Sequence, residues 1–251
     1  MKYGFIGTGT ITEAIVTGLM ASSLEIESIL LSPRNAKRAQ ALADRFNQVS
    51  VAQDNQAVVD GSEVLILAVR RQIAEQVLCA IRIPRSTTII SLIASTTQAS
   101  LSNWTGHDEA QIVRADPLPF VAIGDGATAV FPPDQQAATL FDALGKAVLC
   151  KTEEEFDLLA AATSLMGTYF GILERSNAWL VSNGIDEESG RVFLAKLFGN
   201  LADVTARSPD ASFEQLRHEF STPGGTNEQV FTDFEASGGT RALMDALNRV
   251  K

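Results

Sequence analysis

The stretch Lys2-Tyr3-Gly4-Phe5-Ile6-Gly7-Thr8-Gly9-Thr10-Ile11-Thr12 decides the fold. Its first residues read as a short strand, and Ala14, Ile15, Gly18 and Leu19 continue beyond the glycines at helical spacing. Strand, Gly-x-Gly turn and helix in direct succession are the opening unit of a dinucleotide-binding fold. The first glycine permits the tight turn, and the second lets a pyrophosphate reach the backbone N–H groups at the positive end of the helix. Gly7, Thr8, Gly9, Thr10 and Ile11 are the candidate cradle, and Thr12 stands where a third glycine is usual.

Beyond this unit, β-type runs at 2–6, 26–31, 64–69, 87–93, 111–115 and 127–131 alternate with amphipathic segments, the pattern of an α/β domain built on a doubly wound parallel sheet. From Glu153 the strand signal stops and helical periodicity takes over, so the expected domains are 1–151 and 152–251. The run 156–182, closed by the Asn183-Gly184 pair, is apolar around much of its circumference. Gly167 and Gly171, four apart, would let another backbone come close. So much apolar surface in about a hundred helical residues predicts burial against a second chain.

A net charge of −10 argues against a nucleic-acid partner, which needs a basic footprint. Two separated cysteines, Cys79 and Cys150, and two histidines, His107 and His218, supply neither a zinc set nor a disulfide framework. The N-terminus turns into glycines too early for a secretory segment, and no apolar run is expected to approach a membrane span of ~18 residues. The expected location is the cytoplasm, with no metal and no membrane partner.

The second strand ends in Ser32-Pro33-Arg34-Asn35, where an NAD enzyme offers an acid to the ribose 2′-hydroxyl. A serine and an arginine, with Lys37 and Arg38 just beyond, suit a 2′-phosphate, so NADP(H) is the expected cofactor. Ala68-Val69-Arg70-Arg71 and Ser91-Leu92-Ile93-Ala94 end strands at the same crevice and are placed to flank ribose and nicotinamide; the arginines also fit a solvated helix start. In the tail, Pro223-Gly224-Gly225-Thr226 precedes a helix expected to begin near Asn227, with Thr226 and Gln229 spaced as a capping box. Backbone N–H groups at that helix end suit a substrate carboxylate.

Together, the glycine turn, Ser32-x-Arg34, Leu67-Ala68-Val69-Arg70, Ser91-x-x-Ala94, Thr222-Pro223-Gly224-Gly225-Thr226 and Ser237-Gly238-Gly239-x-Arg241 resemble the pyrroline-5-carboxylate reductases. The resemblance implies a Rossmann domain that binds NADP, a helical domain that forms a homodimer, and reduction of a cyclic imine to proline. It implies that Asn55 joins the cofactor residues Gly7, Thr8, Gly9, Thr10, Ile11, Ser32, Arg34, Ala68, Val69, Arg70 and Ala94. Pro223, Gly224, Gly225 and Thr226 would then hold substrate, with Thr226 and Asn227 nearest the chemistry.

Two departures from the family pattern stand out. Arg114-Ala115-Asp116-Pro117-Leu118-Pro119 replaces Arg-x-Met-Pro-Asn-x-Pro, one residue short and without the asparagine. Asn227 replaces a threonine whose hydroxyl reaches the imine nitrogen, and an amide can position that nitrogen without surrendering a proton. The alternatives are an NADP-dependent reductase of another imine or keto acid, and a catalytically weak cofactor-binding sensor or scaffold.

Overall fold

The computed structural model describes residues 1–250. The chain divides into two compact units, Met1–Ala160 and Ala161–Lys251.

The first unit carries the sheet. Its strands are β1 (Lys2–Ile6), β2 (Ser28–Leu31), β3 (Val49–Val51), β4 (Val64–Leu67), β5 (Thr88–Ser91), β6 (Ile112–Pro117), β7 (Gly126–Phe131) and β8 (Gly145–Leu149). The helices between them are α1 (Thr10–Ala21), α2 (Ala36–Arg45), α3 (Asn55–Asp60), α4 (Arg71–Leu78), α5 (Gln98–Thr105) and α6 (Gln135–Asp142); α7 (Glu153–Thr163) follows β8. The spatial order is β3-β2-β1-β4-β5-β6-β7-β8, parallel from β3 through β6. Chain direction across the sheet reverses between β1 and β4, and such a switch point opens a crevice beyond the carboxyl ends of the two strands.

Strand alternation sends Phe5 to one layer with Ile15, Leu19 and Phe141, and Ile6 to the other with Leu67, Leu78 and Ile89. All four residues of β4 are buried, as expected of a central strand covered on both faces. The sheet departs from uniform parallelism at β7, which runs antiparallel to β6. Only residues 118–125 join the two strands, too few for the dozen or so residues that a parallel crossover requires. The longer connection through α6 brings β8 back parallel to β7. β3 and β8 escape a sequence reading: the first has three residues, and the second is an edge strand whose Val148 and Leu149 are exposed.

Strands give way to helix between Leu149 and Glu153, yet the first unit extends to Ala160 because the start of α7 packs onto it. Phe156 lies against Ala129 and Cys150. Arg114, nearly buried on β6, donates to Glu153 (2.7 Å) and Asp157 (3.0 Å) and stacks 4.3 Å over the Phe156 ring.

The second unit contains α8 (Leu165–Ser182), α9 (Glu187–Arg207), α10 (Phe213–Glu219), α11 (Thr226–Ala236) and α12 (Gly239–Asn248). The run expected as one segment is split between α7 and α8 around Ser164, and Asn183 caps α8 with Gly184 following at φ +94°. Among the described residues of this unit, Ala161 and Leu194 are the only buried hydrophobic ones, while Phe170, Trp179 and Phe193 are each about 65% exposed. Helices with so little core of their own need another surface to cover them. Cβ atoms added at Gly167 and Gly171 would meet nothing within 4 Å, so both backbones are open to approach.

One expectation is corrected here. By length and composition the helical run Glu153–Ser182 is apolar enough to cross a membrane, with a mean hydropathy of 1.4 in its 18-residue window. No charged residue lies between Asp157 and Glu174, and the small residues at 160–164, which break the large-apolar pattern, do not offset their neighbours.

The Arg114 cluster generates a stability prediction. Glu153→Ala removes one of its two carboxylate partners, and because Glu153 is itself part-exposed the expected loss is about 2 kcal/mol, below the ~3–5 of a fully buried pair. Urea unfolding midpoints of the two proteins measure it.

Candidate active site

The turn after β1 is held from three sides. The N–H of Gly7 donates to Ser32 Oγ (2.8 Å), Thr8 Oγ1 donates to the Ser32 carbonyl (2.9 Å), and Asn35 Nδ2 donates to the Thr8 carbonyl (3.1 Å). Thr12, wholly buried, donates its hydroxyl to the Gly7 carbonyl (2.7 Å), which gives the residue in the third-glycine position a bracing task. Gly7 has φ +104°, and a Cβ there would lie 2.5 Å from the Ala68 carbonyl oxygen and 3.0 Å from Val69 N. The β1 and β4 turns therefore touch backbone to backbone at the switch point. Gly9 is the opposite case: its φ is −96° and a Cβ would meet nothing within 4 Å. No side chain caps α1, so the N–H groups at Thr10 and Ile11 open onto that free space. An open glycine beside an uncapped helix start fits a pyrophosphate.

At the end of β2, Ser32 is buried with its hydroxyl committed to Gly7, while Arg34 is exposed. Arg38 binds Glu13 (2.9 Å) and Thr10 Oγ1 (3.1 Å), so the basic cluster contains one cation already paired. Asn55 opens α3 beyond β3, behind Asp54, whose carboxylate accepts from Ala57 N (2.8 Å). Arg70 is exposed at the N-cap of α4, and Ala94 is exposed beyond β5. Every cofactor residue expected from sequence thus lies in the turns after β1, β2, β4 and β5 or at the start of α1 or α3.

Two further residues stand out at this edge. Ser95 has φ +52°, the only positive φ at a non-glycine among the described residues; sparsely populated backbone of this kind gathers at ligand sites. Asp116, near the carboxyl end of β6 in the segment that departs from the family pattern, is partly buried, and loss of water pushes its carboxyl above the ordinary range against the opposing pull of Arg114.

In the second unit, α11 begins at Thr226 with Gly225 as N-cap, and the expected Thr226–Gln229 capping box does not form. The box occurs at α10 instead, between Ser212 and Gln215. Pro223-Gly224-Gly225 makes a turn closed by Gly225 N donating to the Thr222 carbonyl (2.8 Å), with Gly224 at φ +73°. Glu228 reaches back to accept from Gly224 N (2.7 Å), which shows that this amide takes a carboxylate. Asn227 Nδ2 donates to the Phe220 carbonyl (2.7 Å), bracing the approach to the helix.

An uncapped Gly-x-Gly helix start beside a basic strand end, followed by a helical unit without a core of its own, defines a dinucleotide-binding oxidoreductase of the two-domain kind. Residues 2–95 match the family described as NADP oxidoreductase, coenzyme F420-dependent, and residues 153–251 match pyrroline-5-carboxylate reductase dimerisation. The pyrroline-5-carboxylate reductase of Vibrio alginolyticus is 26% identical over 245 residues, 93% of this chain and 89% of that protein. The 1-pyrroline-5-carboxylate reductase structure from Streptococcus pyogenes superposes with a TM-score of 0.85 at 23% identity, covering 100% of this chain and 96% of that one. The Plasmodium falciparum pyrroline carboxylate reductase, solved with NADP bound, gives 0.81 at 18% identity over 100% and 95%. The chain is thus similar, along nearly its whole length, to pyrroline-5-carboxylate reductases.

The two glycines separate fold from binding. Gly9→Ala adds a methyl to open space and should leave the thermal midpoint nearly unchanged while weakening NADPH binding at least about tenfold, ~1.4 kcal/mol. Gly7→Ala forces a Cβ against the Ala68 carbonyl and should lower the thermal midpoint itself. Fluorescence titration with NADPH and a melting curve for each variant distinguish the two.

Proposed function

We propose that this protein reduces a small cyclic imine bearing a carboxylate, pyrroline-5-carboxylate, to proline with NADPH. The observation that carries this reading is the family match in both halves of the chain, including the dimerisation match over 153–251. NADPH supplies the hydride. The residues of this chain bind and orient: the amides of Thr10 and Ile11 take the pyrophosphate, Gly7, Thr8 and Gly9 shape its seat, and Arg34 beside Ser32 meets the 2′-phosphate. Ala68, Val69, Arg70 and Ala94 form the rim for ribose and nicotinamide, and Asn55 belongs to the same edge. Pro223, Gly224, Gly225 and Thr226 form the carboxylate seat, where the Gly224 amide already holds the Glu228 carboxylate. Substrate binding then displaces Glu228, and Asn227 keeps the loop in shape through Phe220.

The functional domains are 1–151 for the cofactor and 152–251 for substrate and pairing. The exposed apolar faces of α8 and α9 are the surface on which two copies form a homodimer, and the apolar run Glu153–Ser182 serves that pairing with no membrane partner. A net charge of −10 speaks against a nucleic-acid partner, and the unpaired Cys79 and Cys150 favour the reducing cytoplasm.

Purified protein should oxidise NADPH when given pyrroline-5-carboxylate, with formation of proline; absence of turnover rejects the reductase reading. NADPH should bind more tightly than NADH, and Arg34→Ala should remove most of that preference, measured as the ratio of the two dissociation constants. Light scattering at micromolar concentration should give a mass of two chains or more.

A further inference from the structure

Reduction of a C=N bond needs a proton at nitrogen as well as a hydride at carbon, and the residue nearest that task by family resemblance is unsuited to it. Asn227 carries an amide that does not release a proton, and its Nδ2 is committed to the Phe220 carbonyl at 2.7 Å. An acid belongs at the carboxyl edge of the sheet, where the nicotinamide and substrate would lie.

Asp116 is placed there. Arg114 pairs with Ser91, the last residue of β5, and Asp116 lies two residues farther along β6 toward the ligand edge, past the end of its neighbour. It shares a strand face with Arg114, because side chains two apart on a strand point the same way. Across the sheet it pairs with Ala129, whose methyl leaves the carboxyl room. Among the described residues, no hydrogen bond or ion pair engages this carboxyl. Arg114, the charged group beside it, already donates to Glu153 and Asp157 on α7 at 2.7 and 3.0 Å, so its charge is largely spent on them. Burial therefore prevails and favours the protonated form of Asp116. The adjacent Pro117 and the nearby Pro119 stiffen the backbone, and the strained Ser95 lies four residues beyond the end of β5.

We propose that Asp116 is the proton donor to the imine nitrogen, a catalytic residue supplied by the segment in which this chain departs from its family. The assignment rests on the reductase reading. In the balanced step, the imine carbon receives the hydride from NADPH, which leaves as NADP⁺. The π pair of the C=N bond becomes an N–H bond with the proton of the Asp116 carboxyl, and the resulting carboxylate is reprotonated from water.

Asp116→Asn and Asp116→Met test it in the full-length protein; methionine is the family's own residue there and keeps the strand foldable. Both variants should bind NADPH within about threefold of the native protein and lose turnover about a hundredfold near neutral pH. At low pH, where the imine arrives protonated, their rates should approach the native rate. The native fall in turnover with rising pH, set by loss of the Asp116 proton, should be replaced in the variants by a fall at lower pH, set by deprotonation of the imine itself. Independently of turnover, the ¹³C carboxyl signal absent from Asp116→Asn should titrate above the ordinary aspartate range and shift when proline is added. Native turnover with variants unchanged in rate and pH profile overturns the assignment while the reductase reading stands. A native protein that is inactive on the imine overturns the reductase reading instead.

Discussion

Everything at the carboxyl edge of the sheet depends on one close approach, that of the Gly7 backbone to Ala68 and Val69. Only a residue without Cβ, at φ +104°, lets the β1 turn settle against the β4 turn, and Ser32 and Thr12 hold it there by hydrogen bonds to its N–H and carbonyl. That contact aims the start of α1, with Gly9 left open, at the crevice between β1 and β4 where the strand order reverses. Had the turn relaxed outward, the helix N-terminus would still exist, but its N–H groups would not face the strand ends that carry Arg34, Arg70 and Ala94.

The two units divide the physical work. The first has a two-layered core on either side of the sheet and is stable as a framework, extending across the start of α7 through Phe156 and the Arg114 ion pairs. The second buries almost none of its large apolar side chains within one chain, and its glycines at 167 and 171 leave backbone bare. The proposed pairing would cover these faces and so would tie folding of the helical unit to assembly. A turn such as Pro223–Gly225 is then held by α10 and α11 together, through Asn227 to Phe220 and Glu228 to Gly224.

The β1–turn–α1 unit was legible because it is local: a strand, two glycines and a helix are contiguous in sequence. The reversal at β7 was not, since it follows from the shortness of the 118–125 connection, which no periodicity reports. β3 was too short to show a pattern, and the capping box assigned to Thr226 formed at Ser212 because Gly225 took the N-cap and Glu228 turned to Gly224. Asp116 was visible only as a departure from a family pattern. Its burial, and the pairing that occupies Arg114, arise from α7, forty residues farther along the chain.

A crystal structure of the protein with NADPH tests the cofactor geometry most directly. The result that agrees places the pyrophosphate oxygens at about 3 Å from the N–H groups of Thr10 and Ile11, over the open Gly9, with the 2′-phosphate against the exposed Arg34 guanidinium. A 2′-phosphate turned into solvent away from Arg34, or a pyrophosphate seated away from the α1 N-terminus, would contradict it.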